Sequence, residues 1–222
     1  MNQPTNERCV VAITGAAGRL GRRMVHGFGK SGARLAALVR SEGPLDGVDA
    51  VLAADLTDEA DVTRVFKELH DTFGRLDVLV HTVGAWAASS LLDTSAADFE
   101  RMLRINLTTT MLCFREASRL MAPTGGRLIA FASAQGADRA RARQASYSAS
   151  KAGVIRIVES AAEELRPINV TTHAIAPSFV LYDDDASEGV KASALVDLAL
   201  YLAGPAGASL SGATLRTYGT AG

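Results

Sequence analysis

The sequence predicts an α/β fold: a doubly wound domain whose mostly parallel sheet has about seven strands, with helices on both faces. Three observations predict it. Short apolar runs of strand length alternate with longer helical stretches along the chain, and such alternation builds parallel strands joined by right-handed crossovers. A glycine-rich turn joins the first run to the first helix. At 222 residues, with no internal repeat and no linker-like stretch, the chain is expected to form one domain over residues 1–222.

Cys9-Val10-Val11-Ala12-Ile13-Thr14 is a continuous apolar run, the mark of a strand buried on both faces. It stops at Gly15-Ala16-Ala17-Gly18-Arg19-Leu20-Gly21, before a helical segment to about Ser31. Strand, glycine turn and helix form the Rossmann-like arrangement that binds a dinucleotide. Glycines let the backbone approach a pyrophosphate, and the free N–H groups at a helix start attract it. A tight turn without a ligand would use the same glycines; the buried strand before and the helix after favour the cofactor.

Gly32 to Arg40 is the second strand, ending in a cation. An acidic residue here would bond the ribose 2′-hydroxyl of NAD, whereas an Arg can pair with the 2′-phosphate of NADP. Arg40, with Arg19 in the turn, therefore favours NADP (NADPH) over NAD; the competing reading leaves both side chains facing solvent.

Val48 to Ala53 is a third strand, closed by Asp55-Leu56, and Thr57-Asp58-Glu59 has the acidic character of a helix start. That helix runs to about Phe73. Leu76 to His81 is the fourth strand, ending at Thr82-Val83-Gly84. A long helical stretch from about Ala96 to Met121 contains Asn106. Gly125-Gly126 introduces the strand Arg127 to Ala132, which delivers Ser133, and a loop from Gln135 to Ala145 leads into a helix running to about Arg166. Pro167 stops that helix. Ile168 to Ala176 is another strand, broken by Pro177; a helix from about Val190 to Leu202 and a strand near Ala213 to Tyr218 finish the chain. In such a sheet, ligands bind at the carboxyl ends of the strands.

Tyr147 and Lys151 stand one helical turn apart and project from one face. A phenol with its ordinary pKa of about 10 is a poor acid or base at neutral pH, and a neighbouring cation that favours the phenolate makes it useful. Reduction of a carbonyl by hydride needs such a group, because charge builds on oxygen and a proton must reach it. Ser133 can supply a second hydrogen bond. A lone Tyr-x-x-x-Lys is also what an exposed helical pair looks like; the glycine turn and Ser133 give this one its chemical meaning.

Together these residues closely resemble the short-chain dehydrogenase/reductase family over nearly the whole chain, from Val10 to Gly219. The resemblance implies that Thr14-Gly15 opens the cofactor motif, that Asp55-Leu56 contacts adenine, and that Asn106, Ser133, Tyr147 and Lys151 form a catalytic tetrad. In that reading Tyr147 is the acid/base and Ser133 holds the substrate oxygen. Lys151 binds the nicotinamide ribose and lowers the tyrosine pKa, and Asn106 holds the water of a proton relay. Pro177 and Val180 match positions lining the nicotinamide pocket. The cofactor contacts implied are thus Gly15, Gly18, Arg19, Leu20, Gly21, Arg40, Asp55, Leu56, Thr82, Val83, Gly84, Tyr147, Lys151, Pro177 and Val180. The family also implies a homodimer or homotetramer, formed through helices such as those holding Asn106 and Tyr147.

The chain departs from the family pattern in places. Gly15, Gly18 and Gly21 are spaced as in the family's extended branch, although this chain is short. His81-Thr82-Val83-Gly84 stands where Asn-Asn-Ala-Gly is usual, and Ser178 follows Pro177 where Gly is common. The substrate-covering segment around 178–190 is short. That shortness, with Gly84-Ala85-Trp86 nearby, also resembles dihydropteridine reductase. The leading expectation is an NADP(H)-dependent carbonyl reductase acting on 3-oxoacyl-type or secondary-metabolite carbonyls. The alternatives are reduction of a quinonoid or pterin substrate, and an NADP-sensing or scaffold protein without turnover.

Composition narrows the partners. Hydrophobic residues make up 48% and charged residues 21%, with a net charge of -1, which offers no electrostatic case for nucleic acid or an anionic membrane. The start, Met1 to Glu7, is polar, and no stretch approaches the roughly 20 apolar residues of a membrane span; a cytoplasmic protein is expected. Cys9 and Cys113 read as small buried hydrophobes, and His26, His70, His81 and His173 are scattered without ligand spacing, so no metal site is expected. Arg139, Arg141 and Arg143, between Ser133 and Tyr147, can attract an anionic substrate or a carrier-protein phosphopantetheine, or form a solvated loop. Asp183-Asp184-Asp185 reads as a hydrated acidic run more than a cation site. Trp86, the only tryptophan, is a wall of the substrate pocket or a packing anchor.

Overall fold

The computed structural model describes residues 8–182 and 188–219; the acidic run Asp183-Asp184-Asp185 lies outside the described residues. In chain order the elements are β1 (Val10–Thr14), α1 (Arg19–Lys30), β2 (Arg34–Val39), β3 (Ala50–Ala53), α2 (Glu59–Phe73) and β4 (Val78–His81). There follow α3 (Ala96–Leu103), α4 (Thr109–Met121), β5 (Gly126–Phe131), α5 (Ala134–Ala137), α6 (Ala145–Glu164) and β6 (Val170–Pro177). The chain ends with β7 (Val180–Leu181), β8 (Val190–Lys191), α7 (Ala192–Ala203) and β9 (Thr214–Thr217).

Seven strands form one sheet in the order β3-β2-β1-β4-β5-β6-β9, and every neighbouring pair is parallel. The order reverses at β1, so the sheet has its switch point where β1 and β4 lie side by side, above the glycine turn. Because successive strand residues face opposite sides, Val10 and Ala12 enter one core with residues of α2, α4 and α6. Val11 and Ile13 enter the other with residues of α1 and α7. This two-sided burial explains why the central strands read as unbroken apolar runs rather than alternating ones.

The helix ends follow local chemistry. Asp58 caps α2 by accepting the Asp61 N–H, and Gly74 ends it at φ 75°, a left-handed turn suited to glycine. Among the described residues no helix is long and apolar enough to cross a membrane.

Several local features differ from the sequence expectation. The helical stretch from Ala96 to Met121 is continuous, but Arg104–Thr108 winds as a π-turn between α3 and α4. The loop before Tyr147 contains α5, and Val190 belongs to the small parallel pair β7-β8 rather than to the helix, which starts at Ala192. Pro177 closes β6 inside the ladder instead of interrupting it, and the next residue, Ser178, continues the bonding to β9 by donating its N–H to Thr217 O at 3.1 Å. Cys113 is buried as expected, but Cys9, just before β1, is exposed, although its carbonyl accepts the Arg34 N–H at 2.9 Å.

Candidate active site

The glycine turn leaves β1 at Gly15, whose φ is 64°. A side chain there would meet Thr82 Oγ1 at 3.0 Å and Val83 Cγ2 at 3.2 Å, so Thr82 and Val83 back directly onto the turn. A Cβ at Gly21 would fall 2.1 Å from Gly15 O, which makes glycine obligatory where α1 folds back over the turn. Gly18 is the helix's N-cap and offers no side-chain cap, leaving the first-turn N–H groups of α1, from Arg19 and Leu20 onward, without a side-chain acceptor. An exposed, backbone-lined cradle of this kind fits a dinucleotide pyrophosphate. On the neighbouring rim, Leu56 is buried and Asp55 Oδ1 accepts from Thr57 N at 3.0 Å and Thr57 Oγ1 at 2.7 Å. These bonds, and behind them the charge of Arg40, hold the Asp55 carboxyl below the usual carboxylate range. Arg40 itself is exposed.

At the end of β4 the substitution of His81 for the expected Asn has a structural account. His81 is 1% exposed. Its Nδ1 lies 2.9 Å from Thr14 Oγ1 and its Nε2 3.2 Å from Thr109 Oγ1. Thr109 Oγ1 donates its proton to Ile105 O at 2.6 Å, so it accepts from His81 Nε2–H; Thr14 Oγ1 accepts the Thr82 N–H at 3.2 Å and donates to the bare Nδ1. His81 is therefore a neutral strut between β1 and the start of α4, and burial, reinforced by the nearby charge of Lys151, pushes its pKa down to about 3. A single histidine without ligand spacing carries no signal of this in sequence; its partners are brought to it by the sheet.

Asn106, on the π-turn, is fully buried. Its Oδ1 accepts from Ala85 N at 2.7 Å, and its Nδ2 donates to Ala85 O at 3.0 Å and Ser150 Oγ at 2.9 Å. Ser150 in turn donates to Tyr147 O at 2.7 Å. The side chain thus ties the loop after β4 to Ser150 in the second turn of α6.

Lys151 is 5% exposed and donates from Nζ to Phe131 O at 2.7 Å. Burial pushes its pKa down to about 8. A Cβ on Gly84 would lie 3.1 Å from Asn106 Oδ1 and 3.2 Å from Lys151 Nζ, so the three meet at one point. Gly136 does the same for the other side: a Cβ there would fall 2.5 Å from Lys151 C, which presses α5 onto the α6 backbone. Ser133, at the exit of β5, is 2% exposed, and its Oγ has no hydrogen-bond partner among the described residues. A buried hydroxyl without a partner carries a free-energy cost that a ligand oxygen would relieve.

Tyr147 is half-buried. Burial raises its pKa, opposed by the hydroxyl of Ser133. Lys151, whose ammonium donates to the Phe131 carbonyl, is not among the causes of that shift. All four residues nonetheless converge at the carboxyl ends of β4 and β5, beside the glycine turn.

Around this cluster, Pro177 is buried at the end of β6 and Val180 pairs with Val190 in the small sheet. Trp86 is 62% exposed and is not a packing anchor. Arg139, Arg141 and Arg143 are exposed, and Ser89 N donates to Arg143 O at 2.9 Å, joining the two loops at the mouth.

Comparison with known proteins agrees with this geometry. The family profile described as short chain dehydrogenase matches residues 9–189. The chain is 31% identical over 188 residues to the 3-oxoacyl-[acyl-carrier-protein] reductase of Synechocystis sp., covering 78% of this chain and 75% of that one. It is 31% identical over 180 residues to sorbitol-6-phosphate 2-dehydrogenase of Escherichia coli, covering 75% and 69%. In fold it is similar to a crystal structure of NAD+-bound xylitol dehydrogenase, with a TM-score of 0.88 at 23% identity, covering 97% of this chain and 100% of that one. The chain belongs to the short-chain dehydrogenase family and is an oxidoreductase of CH–OH and C=O groups.

Proposed function

We propose that the protein is an NADP(H)-dependent reductase of a ketone or aldehyde, with Tyr147 as the proton donor. The observation that carries this reading is the unpartnered, buried hydroxyl of Ser133 beside the Tyr147 phenol. Two hydroxyls converging on one point, with Ser133 Oγ bonded to no other group among the described residues, fit a carbonyl oxygen. A nicotinamide bound along the strand ends would supply the hydride. As charge develops on the substrate oxygen, Ser133 donates a hydrogen bond to it and Tyr147 passes it the phenolic proton. The raised pKa of Tyr147 keeps that proton in place at neutral pH before reaction. Lys151, still largely cationic at neutral pH with a pKa of about 8, stabilises the phenolate that remains. Asn106 and Gly136 keep the group in register through Ser150 and the α6 backbone.

NADP is favoured over NAD by Arg40 directly after β2, the position from which a carboxylate would accept from a 2′-hydroxyl. The exposed Arg139, Arg141 and Arg143 support an anionic substrate, or one carried on a phosphopantetheine arm. Relatives named for 3-oxoacyl reduction and for sorbitol phosphate oxidation span that class. No observation favours the pterin substrate or the scaffold reading, and a scaffold has no need of a buried unpartnered serine.

The test pairs a fluorescence titration with NADPH and NADH against a turnover assay on 3-oxoacyl thioesters and simple ketones. Tyr147→Phe is expected to abolish turnover while NADPH affinity stays within a few-fold. Retained turnover in this variant overturns the assignment.

A further inference from the structure

The sequence assigns Arg19 to the 2′-phosphate alongside Arg40, and the structure gives it a different neighbour. Arg19 is the first residue of α1, directly after the glycine turn. Its guanidinium lies 4.0 Å from the centroid of the Tyr182 ring. One turn further along α1, Arg23 donates from Nη2 to Tyr182 O at 3.1 Å. The ring and the backbone of Tyr182 are thus both held by α1, which fastens the segment leaving β6 and β7 to the start of the cofactor helix.

The sheet order decides what this pair can reach. β2, followed by Arg40, lies on one side of β1, whereas β6, whose exit leads to Tyr182, lies on the other beyond β4 and β5. A dinucleotide laid across the switch point places its adenosine toward β2 and its nicotinamide toward the far side, with the pyrophosphate over the glycine turn between them. Arg19 therefore leans on a residue from the nicotinamide half, away from the ribose that carries the 2′-phosphate. A guanidinium stacked by its face keeps its N–H donors at the edge, the form that grips a phosphate bidentately. Apart from the Tyr182 ring, Arg19 has no partner among the described residues. Arg40, by contrast, is close enough to Asp55 to influence its carboxyl, and so belongs to the β2-β3 rim.

We propose that Arg19 and Tyr182 form a clamp on the pyrophosphate of the dinucleotide, with Tyr182 as a positioning residue that presents the guanidinium, and that this clamp is indifferent to the 2′-phosphate. The proposal rests on the nucleotide-binding reading above and assigns a role to Tyr182 that its sequence position did not suggest.

The experiment is a fluorescence titration of the full chain and its variants with both NADH and NADPH. Arg19→Ala raises both dissociation constants by about tenfold and by the same factor. Tyr182→Ala raises both by about threefold, the loss expected when a stacked cation is released. Tyr182→Phe, which keeps the ring, stays near wild type, a rescue that a role for the hydroxyl would not allow. Loss confined to NADPH, unchanged affinity in Arg19→Ala, or a Tyr182→Phe variant as weak as Tyr182→Ala overturns the clamp alone. A wild-type chain that binds neither nucleotide overturns the clamp together with the reading beneath it.

Discussion

Asn106 and Ala85 hold each other through two hydrogen bonds, Ala85 N–H to Oδ1 at 2.7 Å and Nδ2 to Ala85 O at 3.0 Å. The pair works as a backbone clip: the amide imitates a strand neighbour for a residue that has just left β4. Asn106→Ala would leave both groups of Ala85 without their protein partner and release Ser150. We expect a loss of about 1–3 kcal/mol in stability. Trp86, next to the clip and the sole tryptophan, should report it directly: its fluorescence anisotropy is expected to fall. Unchanged anisotropy would mean the loop is held elsewhere.

Lys151 makes stability depend on pH in a defined window. Burial lowers its pKa from 10.5 to about 8. Between those values the unfolded chain binds more protons than the folded one, so this site's contribution to stability rises with pH across the window. The penalty is fully present below about pH 8 and gone above about 10.5. Lys151→Met removes the titrating group. Its stability relative to wild type should be most favourable near neutral pH and decline from pH 8 upward, by a few kcal/mol at most. The Phe131 carbonyl loses its donor in the variant, which reduces the gain but not its pH dependence. Denaturant unfolding of both chains at pH 7 and pH 10 measures it; a difference independent of pH would contradict the buried-cation account.

His81 should remain neutral in mildly acidic solution. Its pKa is pushed down to about 3, so below the ordinary histidine value of about 6.5 the unfolded chain takes up a proton that the folded chain refuses, and stability falls with falling pH. Nitrogen chemical shifts at pH 5 are expected to show a bare Nδ1 and a protonated Nε2 for this ring, in keeping with its bonds to Thr14 and Thr109. An imidazolium signal at that pH would break the strut as described.

These residues also mark what the sequence could disclose. Strands such as Val10–Thr14 and the turn from Gly15 to Gly21 were legible because two-sided burial and close backbone approach impose their composition locally. The strand exit at Ser133 and the helix carrying Tyr147 and Lys151 were legible because the apolar run before them and the helical spacing within them are local patterns. Features created by distant contacts were not. The helix α5 is stabilised by Gly136 lying against the α6 backbone, the π-turn at Arg104–Thr108 has no local signature, and β7 and β8 are too short for periodicity to register. The bonds of Asn106 to Ala85 and Ser150 were likewise not legible, because those neighbours meet it only in three dimensions.

Gly136→Ala tests whether α5 sets the spacing between Ser133 and Tyr147. The added Cβ would meet Lys151 C at 2.5 Å and Ala152 N at 2.7 Å, both backbone atoms that cannot step aside alone. Overpacking of this kind costs about 1–3 kcal/mol, and relief comes from moving α5 away from α6. Since Ser133 is the N-cap of α5, turnover should fall by at least about tenfold while the nucleotide dissociation constant, set by the glycine turn, stays within about twofold. Loss of both in proportion would show a general failure of folding instead.

Arg40 carries the choice between the two nicotinamide cofactors if Arg19 serves the pyrophosphate. It follows β2 directly and sits beside Asp55 on the neighbouring strand's exit, where the adenosine ribose would lie. A phosphate held by a guanidinium loses a charge-assisted bond when the arginine is removed, whereas a hydroxyl loses little. Arg40→Ala is therefore expected to weaken NADPH by about tenfold and leave NADH within about twofold. Arg40→Asp goes further, since a carboxylate repels the 2′-phosphate and accepts from the 2′-hydroxyl, and should invert the preference. Binding titrations with both nucleotides decide it: equal effects on NADH and NADPH would place the 2′-phosphate elsewhere and return the discrimination to Arg19.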